Sequence, residues 1–88
     1  MLGEKLHEEC GVFGVHINTQ EAAGITYNAL SALQHRGQEG AGIAVLSKNA
    51  ILCHKDVGLV SEVFNGDTLK KLPASGIGIG HVRYSTTG

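Results

Sequence analysis

Residues 76–84, GIGIGHVRY, alternate glycine with isoleucine before the segment continues in larger side chains. A period of two predicts a β-strand, because successive strand residues face opposite sides of a sheet. Every second position up to Gly80 lacks a side chain, so one face of this strand can approach another backbone closely. The segment therefore predicts a sheet with another element packed tightly against its glycine face.

A second strand and a helix are predicted upstream. Residues 11–17, GVFGVHI, are β-branched and aromatic and predict a buried strand. Asn18 is a candidate N-cap with Glu21 as its capping-box partner, which predicts a helix over about residues 19–35 that stops at Gly37. The predicted apolar face of this helix comprises Ala22, Ile25, Ala29 and Leu33.

The middle of the chain predicts a hairpin and short helices. Residues 41–46 and 50–55 alternate around a Lys48-Asn49 turn, the pattern of two antiparallel strands. VGLVSEVF and NGDTLKKL predict short helical segments, and Pro73 interrupts the pattern before the glycine strand. The order β, α, β, β, short α, β predicts an α+β fold with one sheet and one helical layer, which looks unfinished.

Composition and charge exclude several classes of function. The formal net charge of −1 and the pI near 6.5 offer no basic surplus for nucleic acid or an anionic membrane. MLGEKLHEE at the start lacks the apolar core of a signal peptide, and no later stretch is apolar enough to span a membrane. Two cysteines without further pairs predict reduced thiols and a cytoplasmic protein. The histidines show no metal-ligand spacing.

Cys10, in EECGVFGV, allows two interpretations. A cysteine at the start of a strand is commonly a small buried hydrophobe. Cleavage between Glu9 and Cys10 would instead give Cys10 a free α-amine, whose ordinary pKa of about 7.7–8.0 lets it accept the thiol proton near neutral pH. Cys10 is then a candidate nucleophile and residues 1–9 a candidate propeptide. Cys53, in the middle of a predicted strand, is interpreted as structural.

Two further segments combine polar groups with a strained or extended backbone. In LQHRGQEGAGI, residues 33–43, three glycines surround Gln38 and Glu39, which predicts a backbone that passes close to a ligand. The alternative is a helix end followed by a turn, with Arg36 as a solvated charge. In GHVRYSTTG, Arg83 ends the strand and can bind a carboxylate through two parallel hydrogen bonds. Its alternative is a surface pair with a nearby acid.

The chain resembles the N-terminal glutaminase domain of the glutamine phosphoribosylpyrophosphate amidotransferase family. The resemblance rests on four segments in the family's order: EECGVFGV, LQHRGQEGAGI, GLVSEVF and GIGHVRYST. It implies an incomplete N-terminal-nucleophile (αββα) glutaminase fold, a sandwich of antiparallel sheets with helices. Strands of that sandwich are missing from this chain, so we expect exposed sheet edges and uncovered apolar faces. Residues 10–88 would then be the N-terminal part of a type-2 glutamine amidotransferase domain, preceded by the propeptide.

The same resemblance implies a reaction and a set of site residues. Glutamine is hydrolysed to glutamate and ammonia, and the ammonia is transferred to phosphoribosyl pyrophosphate in the first committed step of de novo purine synthesis. Cys10 is implied as the nucleophile and Arg83 as the partner of the α-carboxylate of glutamine. Thr86 is implied as a neighbouring contact, Arg36 as a residue that orders the pocket, and Tyr84 as the start of a loop that closes over glutamine.

The chain stops at Gly88, before the family's oxyanion-hole Asn-Gly segment and the acidic residue that holds the α-amino group. The phosphoribosyltransferase domain is missing too, so we expect this fragment alone to be inactive. The resemblance implies that full-length members use magnesium, that some bacterial members carry an iron–sulfur cluster, and that the parent is a homo-oligomer. The ligands of both cofactors would lie outside this chain, so no cofactor is expected in this fragment. The alternatives are an inactive module that binds or self-associates and an amidotransferase with another ammonia acceptor.

Overall fold

The structure is a computed structural model that describes residues 10–34 and 38–84, with Cys10 described by its backbone alone. The four strands are β1 (Cys10–His16), β2 (Gln38–Ser47), β3 (Ala50–Val57) and β4 (Ile77–Tyr84). The three helices are α1 (Ala22–Leu33), α2 (Val60–Val63) and α3 (Gly66–Lys70). The predicted propeptide, the predicted helix stop and the predictions for Arg36 and Thr86 lie outside the described residues.

The strands form one antiparallel sheet in the order β1-β4-β2-β3. The glycine strand β4 lies in the interior of the sheet, between β1 and β2. The predicted hairpin is confirmed, because β2 and β3 pair directly and are joined by Lys48 and Asn49. Both residues have positive φ, 51° and 67°, as a two-residue type I′ hairpin turn requires.

Helix α1 packs against the glycine face of β4, as the alternating pattern predicts. A Cβ atom on Gly80 would lie 2.5 Å from the Thr26 Cγ2, and one on Gly78 would lie 2.7 Å from the Thr26 Oγ1. The buried stripe of the helix is Ala22, Thr26 and Leu30. The predicted stripe is confirmed at Ala22 and at Leu33, which packs half-buried against the core, but it missed Thr26 and Leu30. Because Gly78 and Gly80 have no side chains, the helix packs on them through Thr26. Its apolar residues Ile25, Ala29 and Leu33 are half-buried.

The predicted start of α1 is also wrong. The helix begins at Ala22 and no side chain caps it, whereas the sequence pattern favoured Asn18 as the N-cap. The backbone of the preceding residues bonds instead to the segment before β4: the Ile17 N–H donates to the Gly76 carbonyl at 2.8 Å, and the Ala22 N–H donates to the Ser75 carbonyl at 2.9 Å. A distant carbonyl therefore satisfies an N–H group that a capping side chain would otherwise bind.

The two faces of the sheet differ in what covers them. One face packs against α1 and α2, and its core comprises Leu30, Ala41, Ile43, Val45, Val60, Val63, Phe64, Leu72, Val82 and Tyr84. The other face, called the open face below, leaves Val12 71%, Ile51 75% and Val57 78% exposed. The predicted α+β fold, with one antiparallel sheet, one helical layer and uncovered apolar surface, is confirmed for the described residues.

Candidate active site

The sheet brings together two of the predicted site residues that are far apart in the sequence. Cys10, the first residue of β1, is paired with Arg83 near the end of β4. Arg83 is paired on its other side with Gly40 of β2. Residues directly opposite each other in antiparallel strands have Cα atoms about 4.5–5.5 Å apart. The candidate nucleophile and the candidate carboxylate-binding residue are thus neighbours in the sheet.

The Arg83 side chain lies on the open face and is 61% exposed. Its Nη2 atom lies 3.8 Å from the Glu39 Oε2 atom. Glu39 lies where the register between β2 and β4 shifts, between Gln38 and Gly40. An ion pair that is this long and this exposed stabilises the fold by at most about 1 kcal/mol. The guanidinium, with five N–H donors, is therefore accessible to a second anion.

Tyr84 follows Arg83 directly, so its side chain lies on the opposite, covered face. It is 8% exposed, and its hydroxyl donates a hydrogen bond to the Leu33 carbonyl at the end of α1. Burial of the phenol disfavours its ionised form and raises the pKa of Tyr84 above its ordinary value. A ligand on the open face could touch Tyr84 through its backbone, and the Tyr84 side chain is not part of the Arg83 surface.

The remaining predicted site residues are reached only in part. Arg36 and Thr86 lie outside the described residues, so their roles stay predictions. The described residues that flank them meet nevertheless, since Gln38 is paired with Tyr84 in the register of β2 and β4. Gln38, the first described residue after Arg36, and Tyr84, the last described residue before Thr86, therefore both lie at the end of the sheet that holds Cys10 and Arg83.

Gln38 is a residue whose structural role the sequence pattern did not indicate. The pattern of glycines around it predicted a polar group facing a ligand, yet Gln38 is only 4% exposed. Its Nε2 donates to the carbonyls of Gly40 and Gly58 at 2.8 Å each, and its Oε1 accepts from the Val60 N–H at 3.0 Å. No local signal could reveal these contacts, because Gly58 and Val60 lie in a different part of the sequence.

Outside the Cys10–Arg83 end of the sheet, the other candidate features of the described residues are metal-binding groups, reactive thiols, clefts and membrane-spanning helices. Within residues 10–34 and 38–84, no group of three or more His, Cys, Asp or Glu side chains is placed to hold a metal ion. Cys53 is a free thiol exposed on β3. A cleft of about 520 Å³ lies at the other end of the sheet, between His16, Ser47 and Ile77. None of the helices in the described ranges is long and apolar enough to cross a membrane.

Comparisons with known proteins identify the family. No protein-family model matches the chain. Amidophosphoribosyltransferase 3, chloroplastic, of Arabidopsis thaliana is 56% identical over 97% of this chain and 16% of its own length. The amidophosphoribosyltransferase of Methanothermobacter thermautotrophicus is 50% identical over 100% of this chain and 19% of its own length. The chain belongs to the amidophosphoribosyltransferase family.

Solved structures agree with this assignment. A solved structure of the allosteric regulatory enzyme of purine biosynthesis has a TM-score of 0.75 and 46% identity, over 84% of this chain and 16% of that one. The glutamine phosphoribosylpyrophosphate amidotransferase from B. subtilis, complexed with ADP and GMP, has a TM-score of 0.74 and 46% identity. It matches 86% of this chain and 16% of its own. The resemblance to the N-terminal domain of these amidophosphoribosyltransferases is confirmed, and the chain spans about one sixth of their length.

Proposed function

We propose that this chain is the amino-terminal part of a glutaminase domain in which Cys10 hydrolyses the side-chain amide of glutamine. The ammonia would be transferred to phosphoribosyl pyrophosphate by a phosphoribosyltransferase domain outside this chain. The observation that carries the proposal is the pairing of Cys10 with Arg83 in the register of β1 and β4. The pairing supports the proposal because the residue that would carry the nucleophilic thiol lies directly opposite the residue that carries the guanidinium.

The proposed chemistry needs a proton acceptor beside the Cys10 thiol. Removal of residues 1–9 would provide one, a free α-amine with an ordinary pKa of about 7.7–8.0. The amine takes the thiol proton, the thiolate attacks the amide carbon, and the C–N bond breaks as the ammonium group returns that proton to the leaving nitrogen. Ammonia leaves and a thioester remains. Water, deprotonated by the same amine, hydrolyses the thioester to glutamate and restores the thiol.

Arg83 supplies the affinity for an amino acid in this proposal. Its guanidinium binds the α-carboxylate of glutamine through two parallel hydrogen bonds, which fixes both the position and the orientation of the substrate. The contact with Glu39 at 3.8 Å leaves donors for that carboxylate. Arg36 and Thr86 would complete the pocket, and the segment that begins at Tyr84 would cover it.

Several wider properties belong to the same proposal. They are membership of the N-terminal-nucleophile hydrolases, a removable propeptide, glycosyltransferase chemistry at the second domain, a cytoplasmic location and a homo-oligomeric parent. Magnesium and any iron–sulfur cluster would be held by residues outside this chain. The support for these properties is family membership, since the relatives are amidophosphoribosyltransferases.

Covalent labelling tests the proposed nucleophile. A full-length amidophosphoribosyltransferase that carries this segment is treated with the diazoketone analogue of glutamine, and the adduct is mapped by mass spectrometry. We expect one adduct, on Cys10, and a mature protein that begins at Cys10. Arg83→Gln should raise the KM for glutamine about 10- to 150-fold, the effect of losing hydrogen bonds between charged groups.

The two cysteines provide the matched controls. Cys10→Ser should abolish labelling and glutamine hydrolysis, whereas Cys53→Ser should leave both unchanged, because Cys53 lies on another strand. An adduct on Cys53, or full glutaminase activity while Glu9 remains attached to Cys10, would contradict the mechanism.

The exposed apolar face favours a second possibility for the 88 residues alone. Val12, Ile51 and Val57 lie on a sheet face that nothing covers among the described residues, which suits a module that binds another surface or self-associates. A glutaminase assay on the isolated chain separates the two: clear release of glutamate excludes an inactive module. Absence of release, together with activity of the full-length protein, supports it.

A further inference from the structure

We infer that Gln38 is a positioning residue for glutamine binding. It holds the start of β2, which lies beside Arg83, against residues 58–60. The inference rests on the proposed function, in which Arg83 binds the substrate's carboxylate. It assigns a role to GLVSEVF, the one segment of the resemblance that supplies no residue to the proposed chemistry.

The side chain of Gln38 uses every one of its polar atoms to join two segments. It donates to the Gly40 and Gly58 carbonyls and accepts from the Val60 N–H, all at 2.8–3.0 Å. Gly40 is the residue paired with Arg83. One buried amide therefore connects the neighbour of the candidate carboxylate-binding residue to the segment between β3 and α2.

Glu39 is tied to the same segment through its backbone. Its carbonyl accepts a hydrogen bond from the Gly58 N–H at 2.6 Å. Its carboxylate faces Arg83, with 3.8 Å between the Glu39 Oε2 and the Arg83 Nη2. Two successive residues at the register shift are thus held by residues 58–60, and the second of them contacts the guanidinium that the proposed function assigns to substrate binding.

The described residues on both sides of Arg36, Gln34 and Gln38, contact the same group. The Val60 N–H is bonded by the Oε1 atoms of two glutamines, Gln34 at 2.9 Å and Gln38 at 3.0 Å. These residues precede and follow the three positions that include Arg36. The Val60 N–H at the start of α2 is thus shared by the described residues on both sides of Arg36.

The anchoring segment has a shape that requires glycine. Gly58 has φ of +129°, a conformation that residues with side chains rarely adopt. A Cβ atom there would lie 3.1 Å from the Glu62 Oε1, which itself accepts a hydrogen bond from the Leu59 N–H. A substitution at Gly58 should thus move the Gly58 carbonyl that accepts from Gln38, while the Gln38 side chain itself is unchanged.

The experiment measures glutamine kinetics in a full-length amidophosphoribosyltransferase that carries this segment. Gln38→Met keeps the length of the side chain and removes its hydrogen bonds. We expect the KM for glutamine to rise about 5- to 20-fold with kcat within about twofold, because ground-state positioning is lost and the Cys10 chemistry is not. Labelling of Cys10 by the diazoketone analogue should slow in proportion, while its alkylation by iodoacetamide should not.

Three further variants distinguish positioning from a loss of stability. Gly58→Ala should raise the KM in the same way, and the double variant with Gln38→Met should raise it no further, because both changes disrupt the same link between Gln38 and residues 58–60. Should Gln38→Met fail to fold, Gly58→Ala carries the same test. The matched control is Asn65→Ala, which removes an N-cap that accepts from the Asp67 and Thr68 N–H groups, both at 2.9 Å. It should lower stability and leave the KM unchanged.

The outcomes separate this inference from the proposed function. If Arg83→Gln raises the KM and Gln38→Met does not, the inference is wrong and the proposed function stands. An equal rise in the KM with Asn65→Ala, or a fall in kcat alone with Gln38→Met, would also overturn the inference. If Arg83→Gln leaves the KM unchanged, the role assigned to Arg83 in the proposed function fails, and the inference fails with it.

Discussion

The closest approach between α1 and β4 gives the sharpest prediction about the fold. In Gly80→Ala the new Cβ atom would lie 2.5 Å from the Thr26 Cγ2, and 3.0 Å and 3.1 Å from the two terminal carbons of Leu30. Both neighbours are completely buried. Non-bonded carbon atoms pack at about 3.5–4.0 Å, so the helix must move away from the strand by about 1 Å.

The expected cost follows from two opposing terms. Overpacking a tight core destabilises by about 1–3 kcal/mol. Replacing glycine removes freedom from the unfolded chain and returns about 0.4–1 kcal/mol, because no positive φ prevents the Gly80 backbone from accepting a side chain. We therefore expect Gly80→Ala to lower the free energy of unfolding by about 1–2 kcal/mol.

Urea unfolding of the chain, followed by circular dichroism, measures the effect against two companions. Gly14→Ala is the matched control, because a Cβ atom on Gly14 meets nothing within 4 Å. It should change stability by less than about 1 kcal/mol. Thr26→Ala removes the clashing methyl together with a buried hydroxyl that has no hydrogen-bond partner among the described residues. Adding it to Gly80→Ala should recover at least about 1 kcal/mol.

Two results would refute this reasoning. The first is a Gly80→Ala protein as stable as Gly14→Ala, which would mean that the helix does not approach the strand at Gly80. The second is strict additivity of Thr26→Ala and Gly80→Ala, which would mean that the two residues do not share one space.

Ionisation of Tyr84 should lower the free energy of unfolding at high pH, because the pKa of Tyr84 is higher in the folded protein than in the unfolded chain. The stabilisation is fully present below the unfolded pKa of about 10 and is lost as the pH rises through the folded pKa. Unfolding free energies measured from neutral to strongly alkaline pH should thus fall more steeply than those of Tyr84→Phe, and equal slopes would contradict the assignment. At the hairpin turn, Asn49→Val should cost about 1–2 kcal/mol in urea unfolding, because Asn49 has φ of 67°, while Asn49→Gly should cost nothing. Equal stabilities of the two variants would show that this backbone conformation is not retained.

Patterns within a few residues predicted much of this fold. The hairpin followed from a polar turn between two apolar runs, and the close packing on β4 followed from glycines at every second position. The start of α1 could not be predicted in this way. Asn18 and Glu21 form a sound capping pattern, but the carbonyl of Ser75 satisfies the first N–H of the helix. A partner so distant in the sequence leaves no local signal.

The candidate site divides in the same manner. Cys10 and Arg83 were predicted from residue type and from the family resemblance, but their adjacency is a property of strand register. Gln38 was predicted as a polar group aimed at a ligand, and the structure buries it against Gly58 and Val60. Burial depends on what packs above a residue, which the residues beside it in the sequence do not determine.

The amino-acid sequence by itself determined the kinds of element, the tight face of β4 and the chemistry available to a thiol and a guanidinium. These depend on backbone preferences and side-chain identity, which act over a few residues. Only the tertiary structure decided that β4 lies between β1 and β2, that Cys10 meets Arg83, and that residues 58–60 hold the end of β2. Those contacts join distant segments, so they exist only once the whole sheet has formed.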